Sequence, residues 1–520
     1  MSAGSPVFLT VDAGSQSLRA CLIDAQGNLL NKSSVAMAAP FASQPGYSET
    51  PAEPIWEACI EAVRDVCSQR RGTEIQSIGV TSQRASVVAL DDQGVPLRPV
   101  ILWSDQRRCA PPDSLGLTGL GMRLIGVLDT ARRFQADAEI NYLASEEPEL
   151  WAKVNKLLFI SGYLNFRLTG QYKDSTSNQV GYIPFDYRRQ TWASKRMWHW
   201  KALPAMRMSH LPELVSAGSM LGQLSATAAQ ELGLSQGLPV VACATDKACE
   251  VLGTGCTDIT QASLSFGTAA TVNVTSPTYR EIERFVPAYP AAIPGQFLCE
   301  QHTYRGFWLV NWFKREFAQA EQALAATKGV PAESLFDDFL RDTSPGAEGL
   351  FAQPYWSPGV RVPGPEARGA LLGFNATHTK AHVYRALIEG LVYSMRENLE
   401  KITRRTRQPV SLIRAAGGGS QSDEVLQIAA NVLGQPVERV HTYEASSLGA
   451  AICSTVATGA HTSFASAVTA MSHAGKRFFP QSKTAQQYDE LYTKVYKRIY
   501  SQMQPLYVSI ARLQQHTRDL

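Results

Sequence analysis

The 520-residue chain contains no uncharged apolar stretch approaching the ~18 residues that a membrane-spanning helix needs. Its first residues, M-S-A-G-S-P-V-F-L-T-V-D, lack a basic flank, and their apolar run is too short for a secretory signal. These absences lead to the expectation of a soluble, cytoplasmic protein that binds no membrane. Dense Lys/Arg runs are also missing: the formal net charge is +3 and the short pair Arg404-Arg405 is surface-like, so no nucleic-acid partner is expected. Nine cysteines, among them Cys21, Cys59, Cys67, Cys243 and Cys256, form no C-x-x-C pair and have no histidine at metal-binding spacing. They read as buried thiols in a reducing cytosol. No low-complexity linker interrupts the chain.

What is present suits large, well-filled cores. At 44% hydrophobic and 18% charged, the chain is longer than one core usually organises, and two large domains are the natural reading. Val7 to Val11 and Leu18 to Ile23 are predicted as a hairpin around the polar turn Ala13-Gly14-Ser15-Gln16-Ser17. Ala262 to Phe266 and Thr271 to Val274 form a second hairpin around Gly267-Thr268, a weak internal repeat of the first. If each hairpin opens a domain, the boundary falls at the Gly253-Thr254-Gly255 turn, giving domains 1–252 and 253–520 with the two polar turns facing one another across a cleft.

Between the hairpins, the apolar spacing predicts a helix over 56–69, and strands over 75–80, 87–90 and 100–103. Downstream, a long amphipathic helix is expected over 381–402, a buried strand over 412–416, a flexible turn at Gly417-Gly418-Gly419-Ser420 and a helix over 423–433. The pattern is mixed α/β, with polar residues just beyond strand ends, where ligands bind in open α/β sheets. A strand, three glycines and a helix in that order let a nucleotide lie against backbone.

Asp246 in A-T-D-K is the candidate general base. An isolated Asp before a helix often serves only as a cap, but a carboxylate at a strand end can also accept the proton of an attacking hydroxyl. Asp12 in D-A-G-S-Q-S-L-R, with Asp246 as the second acid, is the candidate Mg²⁺ ligand, because Mg²⁺ favours carboxylate oxygens and keeps its waters. Gly14, Ser15, Ser17 and Arg19 add backbone, hydroxyls and a cation suited to nucleotide phosphates, and Gly267 with Thr268 forms a second grip of the same kind. Lys247 points either to this site or to solvent. Arg84, Trp103, Asp105 and Arg107 are the candidate polyol pocket, since a sugar needs several directional polar partners and one apolar face.

Together these motifs resemble the FGGY carbohydrate kinases, the group that includes glycerol, xylulose, ribulose and gluconate kinases. The resemblance runs through V-D-A-G-S-Q-S-L-R, T-S-Q-R, L-W-S-D-Q-R, A-T-D-K-A-C-E-V-L-G-T-G, S-F-G-T, R-A-L-I-E-G and A-A-G-G-G-S-Q-S-D-E-V-L-Q, in family order over nearly the whole chain. It implies an actin-like ATPase fold of two ribonuclease-H-like α/β domains around a central cleft, closing on ATP-Mg²⁺ and a sugar or polyol. The first domain would carry the sugar and the first phosphate loop, the second the other phosphate loop and the adenosine pocket. Asp246 falls at the family's catalytic base and Asp12 at its metal-linked acid. Gly418, Gly419, Ser422 and Asp423 fall at or beside the adenosine pocket, and Arg84, Trp103 and Lys247 at positions that contact substrate. Arg361 and Arg368 fall in a second-domain segment where structural salt bridges are expected.

Two departures bear on the substrate. Glycerol kinases carry an acid after the Gln-Arg pair and Gln after the catalytic acid, where this chain has Ala85 and Lys247; xylulose kinases place Met-His where it has Gln83-Arg84. Glycerol and xylulose are thereby disfavoured. The expected activity is ATP-dependent phosphorylation of a sugar, ketose or polyol hydroxyl in carbohydrate catabolism, by a homodimer. A nucleotide-dependent switch or chaperone-like ATPase, or a non-catalytic sugar-binding regulator on the same fold, is the alternative.

Overall fold

The structure, a computed structural model, describes residues 6–69, 74–357, 359 and 362–518. Arg361 lies outside the described residues. The chain divides into two compact units: Met1–Thr257 with Ser276–Leu298 and Glu444–His473, and Asp258–Thr275 with Cys299–Tyr443 and Ala474–Leu520.

Six strands make the main sheet of the first unit: β1 (Val7–Ala13), β2 (Ser17–Asp24), β3 (Leu29–Ala36), β4 (Ile75–Ser82), β5 (Met220–Gln223) and β6 (Pro239–Ala242), in the order β5-β6-β4-β1-β2-β3. β1 to β3 are antiparallel neighbours, β4 and β6 run parallel to β1, and β5 is an antiparallel edge. All seven residues of β1 are buried, as befits a strand covered on both faces. The helix Glu53–Ser68 joins β3 to β4, burying Ile55, Trp56, Cys59, Ala62, Val63 and Val66, one apolar stripe at helical spacing.

A second, seven-stranded sheet contains β7 (Gln261–Phe266), β8 (Ala270–Ser276), β9 (Phe297–Thr303), β10 (Leu412–Ala416), β11 (Val437–Val440) and β12 (Ala474–Phe478), in the order β9-β8-β7-β10-β11-β12, with the short strand Tyr289–Pro290 at the edge beside β9. β7 and β8 are antiparallel, β10 and β11 follow parallel to β7, and β12 closes as an antiparallel edge. This is the strand order of the first sheet again. The repeat glimpsed in the two hairpins therefore extends to six strands of each sheet.

The expected strands 87–90 and 412–416 and the helix 423–433 appear with those limits. The long helix runs further than expected, Lys380–Thr406. The strand expected over 100–103 ends at Ile101, because the Asp105 N–H bonds back to Leu102 O and turns the chain. The triple-glycine segment is a tight 3₁₀ turn, Gly418–Gln421, entered through Gly417 at φ 86°. None of the nine cysteines is in a disulfide, and eight of them are buried. No helix among the described residues is long and apolar enough to cross a membrane.

Candidate active site

In the first unit, β-sheet register assembles a charged face. Asp12 lies opposite Arg19 across the β1–β2 hairpin and opposite Thr81 on β4. Lys32 on β3 stands opposite Cys21, two residues along β2 from Arg19, so Asp12, Arg19 and Lys32 share one face. Asp12 is only 6% exposed; its Oδ2 is 3.8 Å from Arg19 Nη1, and its Oδ1 is buried with no hydrogen-bond partner. Burial, and then the nearby charge of Asp246, push the Asp12 carboxyl up to about 7, while Arg19 opposes the shift.

Asp246 is the first residue of the helix Asp246–Gly253, which follows β6 after three residues. Thr245 caps that helix, accepting from the Ala248 N–H, and the Lys247 N–H donates to Asp246 Oδ1 at 2.7 Å. The helix start thus holds the carboxylate in a fixed rotamer. Burial raises the Asp246 carboxyl above the usual carboxylate range, opposed by Lys247 and Arg84. The helix is seated by close approach to the helix Ala445–Ala457: a Cβ on Gly253 would stand 2.0 Å from Ala445 O, and one on Gly449 1.9 Å from Cys249 O. Glycine is needed at both crossings.

The remaining candidates of this unit are placed unevenly. Gly14 closes the first turn by donating to Ser17 O, and Ser15 donates to Gln83 Oε1 at 2.7 Å. Trp103 is 46% exposed, with its indole N–H on Ser15 Oγ at 3.1 Å, so its ring is a fixed apolar face linked to the phosphate-side turn. Arg84 lies over the Tyr289 ring, 5.0 Å from its centroid. Lys247 reaches back to Glu250 at 2.9 Å. Asp105 and Arg107, expected in the polyol pocket, are instead bound to each other: buried Arg107 pairs with Asp105 and Glu49 and covers Tyr47 at 4.2 Å. A guanidinium held by two carboxylates and an aromatic ring organises the loop around Trp103.

Tyr289, Glu250 and Glu444 were not singled out from the sequence. Tyr289 and Glu444 arrive on the two segments that return to this unit, and only the i, i+4 spacing of Asp246 and Glu250 is visible locally.

In the second unit, the Gly267 and Thr268 carbonyls accept from Phe307 and Gly306 N–H groups at 2.9 Å each, which fixes the turn between β7 and β8. A Cβ on Gly418 would meet nothing within 4 Å, whereas one on Gly419 would strike the Phe307 ring at 2.2 Å. Ser422 caps the helix Asp423–Leu433 and also donates to Asp337 Oδ1 at 2.5 Å. Asp423 pairs with Arg439 at 2.6 Å and with Lys476. What this segment leaves open to a ligand is glycine backbone rather than the Ser422 and Asp423 side chains. Arg368 donates to Gln514 at 2.7 Å, a neutral partner in place of the expected salt bridge.

The first unit's acids fit a divalent cation of the Mg²⁺ type. The charge of half-buried Asp246 raises the proton affinity of buried Asp12, which also keeps an unpartnered oxygen, so a cation there would satisfy that acid. An ion of this type takes one or two carboxylates together with phosphate oxygens and water.

Paired sheets of this common strand order make the actin-like ATPase fold, two ribonuclease-H-like units in one chain. The chain belongs to the FGGY family of carbohydrate kinases: the family's N-terminal domain matches residues 7–253 and its C-terminal domain residues 262–458. It is a sugar kinase, an enzyme that phosphorylates an alcohol group. It is 26% identical to a xylulose kinase of Lactococcus lactis over 95% of this chain and 96% of that one. With a gluconokinase of Bacillus licheniformis it shares 25% identity over 97% and 95% of the two chains. The crystal structure of a ligand-bound xylulose kinase from Lactobacillus acidophilus superposes with a TM-score of 0.81 at 21% identity, covering 97% of this chain and 100% of that one.

Proposed function

We propose that this kinase transfers the γ-phosphate of ATP to a primary hydroxyl of a sugar, ketose or polyol longer than glycerol and distinct from xylulose. The observation that carries this reading is the pair of Asp12, buried in β1, and Asp246, at the head of the helix after β6, whose charge raises the Asp12 carboxyl.

Asp246 accepts the proton of the attacking hydroxyl as its oxygen bonds to the γ-phosphorus and the bond to the β-phosphate oxygen breaks, leaving ADP. Its raised proton affinity makes it the stronger base, while Arg84 and Lys247 keep it ionised enough to act. Asp12 would hold Mg²⁺, which neutralises charge on the phosphate oxygens when bound. Arg19 and the backbone of Gly14 and Ser15 face the phosphates in the first unit; Gly267 and Thr268 serve them in the second, and the open backbone at Gly418 takes the adenosine. Trp103 supplies the apolar face for the sugar carbons and Arg84 a directional donor. Ala85 cannot bind the hydroxyls that an acid binds in glycerol kinases, which supports a different substrate. A homodimer of such subunits is part of the proposal, and light scattering on the purified protein tests it.

The test is Asp246→Asn assayed over a panel of polyols, ketopentoses, ketohexoses and sugar acids. Sugar-stimulated ADP release should vanish while nucleotide binding persists. Undiminished turnover in the variant, or ATP hydrolysis indifferent to every sugar, would overturn the reading; the latter would favour a nucleotide switch.

A further inference from the structure

Glu444 is a buried carboxylate, 8% exposed at its side chain, at the head of the helix Ala445–Ala457. One oxygen, Oε1, accepts from Lys32 Nζ at 2.6 Å; the other, Oε2, lies 3.4 Å from Arg19 Nη1. The same Arg19 nitrogen is 3.8 Å from Asp12 Oδ2, beyond hydrogen-bond distance. Arg19 and Asp12 are cross-strand partners, the geometry in which opposite charges normally close on each other. They stand apart because the guanidinium is drawn toward Glu444, and Lys32 anchors Glu444 in turn.

We propose that Glu444 is a positioning residue that holds Arg19 away from Asp12, so that the Asp12 carboxylate stays available to a divalent cation and the guanidinium stays turned to the phosphate side. The inference rests on the reading of Asp12 given above. Without Glu444, the nearest anion for Arg19 is Asp12, and a guanidinium seated on that carboxylate would compete with the cation for the same oxygens. The head of one helix thus acts on the hairpin acid through Arg19, while Gly449 on that helix seats the base-bearing helix.

Two measurements separate the inference from the reading beneath it. The first is the structure of Glu444→Gln: Arg19 should close onto Asp12 to within hydrogen-bond distance, and an Arg19 that stays at its present separation overturns the inference. The second is binding of a fluorescent ADP analogue against Mg²⁺ concentration. The Mg²⁺ level for half-maximal binding should rise about fivefold in Glu444→Gln, the effect of roughly 1 kcal/mol. Glu444→Asp should stay near the parent value. Adding Arg19→Gln to Glu444→Gln should restore the Mg²⁺ dependence to that of Arg19→Gln alone, because the competing guanidinium is gone. A loss as large in the double variant as in the single one marks Glu444 as merely structural and overturns the inference. If Arg19 closes on Asp12 but Mg²⁺ has no effect on nucleotide binding even in the parent, the cation reading of Asp12 falls and the positioning geometry stands. Melting temperatures of all variants, read alongside, identify any that fail to fold, and Glu444→Asp then carries the test.

Discussion

Gly449 lies so close to Cys249 that a Cβ on it would stand 1.9 Å from the Cys249 carbonyl oxygen. The contact joins the helix carrying Asp246 to the helix headed by Glu444. Gly449→Ala should therefore push the two helices apart, costing about 1–3 kcal/mol of stability. Displacing the base by even an ångström should lower kcat by about a hundredfold. Melting temperature and kcat measured together check this; full activity in a folded variant would show that Asp246 does not depend on the crossing.

Trp103 presents its ring with the indole N–H bound to Ser15. Trp103→Ala should raise KM for the sugar about tenfold, a loss of roughly 1.4 kcal/mol, and leave KM for ATP nearly unchanged. Steady-state kinetics with each substrate varied in turn decide it. An equal rise in both constants would assign the ring to the phosphate-side turn instead.

Arg385 and Glu389 form an ion pair at 3.0 Å within the helix Lys380–Thr406, completed by Tyr488 and the Gly346 N–H, both donors to Glu389. Glu389→Ala leaves a buried guanidinium uncompensated and should cost roughly 3–5 kcal/mol. Chemical denaturation measures it. The catalytic constants of the protein that remains folded should be close to the parent's.

His199 stacks on Trp198 and is buried enough that desolvation lowers its pKa to about 4. Its folded pKa lies below the unfolded value of 6.5, so the unfolded chain binds the additional proton between those values. Stability from this group is therefore full above about pH 6.5 and is lost as pH falls toward 4. His199→Gln should flatten the decline in melting temperature between pH 6.5 and 4 relative to the parent. A parallel decline in both proteins would remove His199 as its source.

The two hairpins, the helix before β4 and the strand–glycine–helix segment were legible because each is written in local periodicity and turn chemistry. The buried seven-residue run of β1 and the 3–4 spacing from Ile55 to Val66 need no distant partner to be read. The candidate acids were legible too, since Asp12 stands near the end of a strand and Asp246 at the head of the helix that follows one, both within recognisable motifs. The states of the side chains around them were not. Arg107 looked like a donor to a sugar, but Glu49, 58 positions away in the chain, binds it at 2.7 Å. Ser422 and Asp423 looked open to a nucleotide, but cap a helix and pair with Arg439 and Lys476.

The sequence alone carried motifs of acids, hydroxyl-bearing turns and glycines in family order, and through that resemblance the expected reaction class. The folded chain decided which of those groups remain available and what holds them. Arg19, 3.8 Å from Asp12 Oδ2, also faces Glu444, which lies more than four hundred residues on in the chain. Arg84 lies over a ring delivered by a segment that re-enters the first unit. Charge and burial depend on everything within a few ångströms, and chain distance does not encode that.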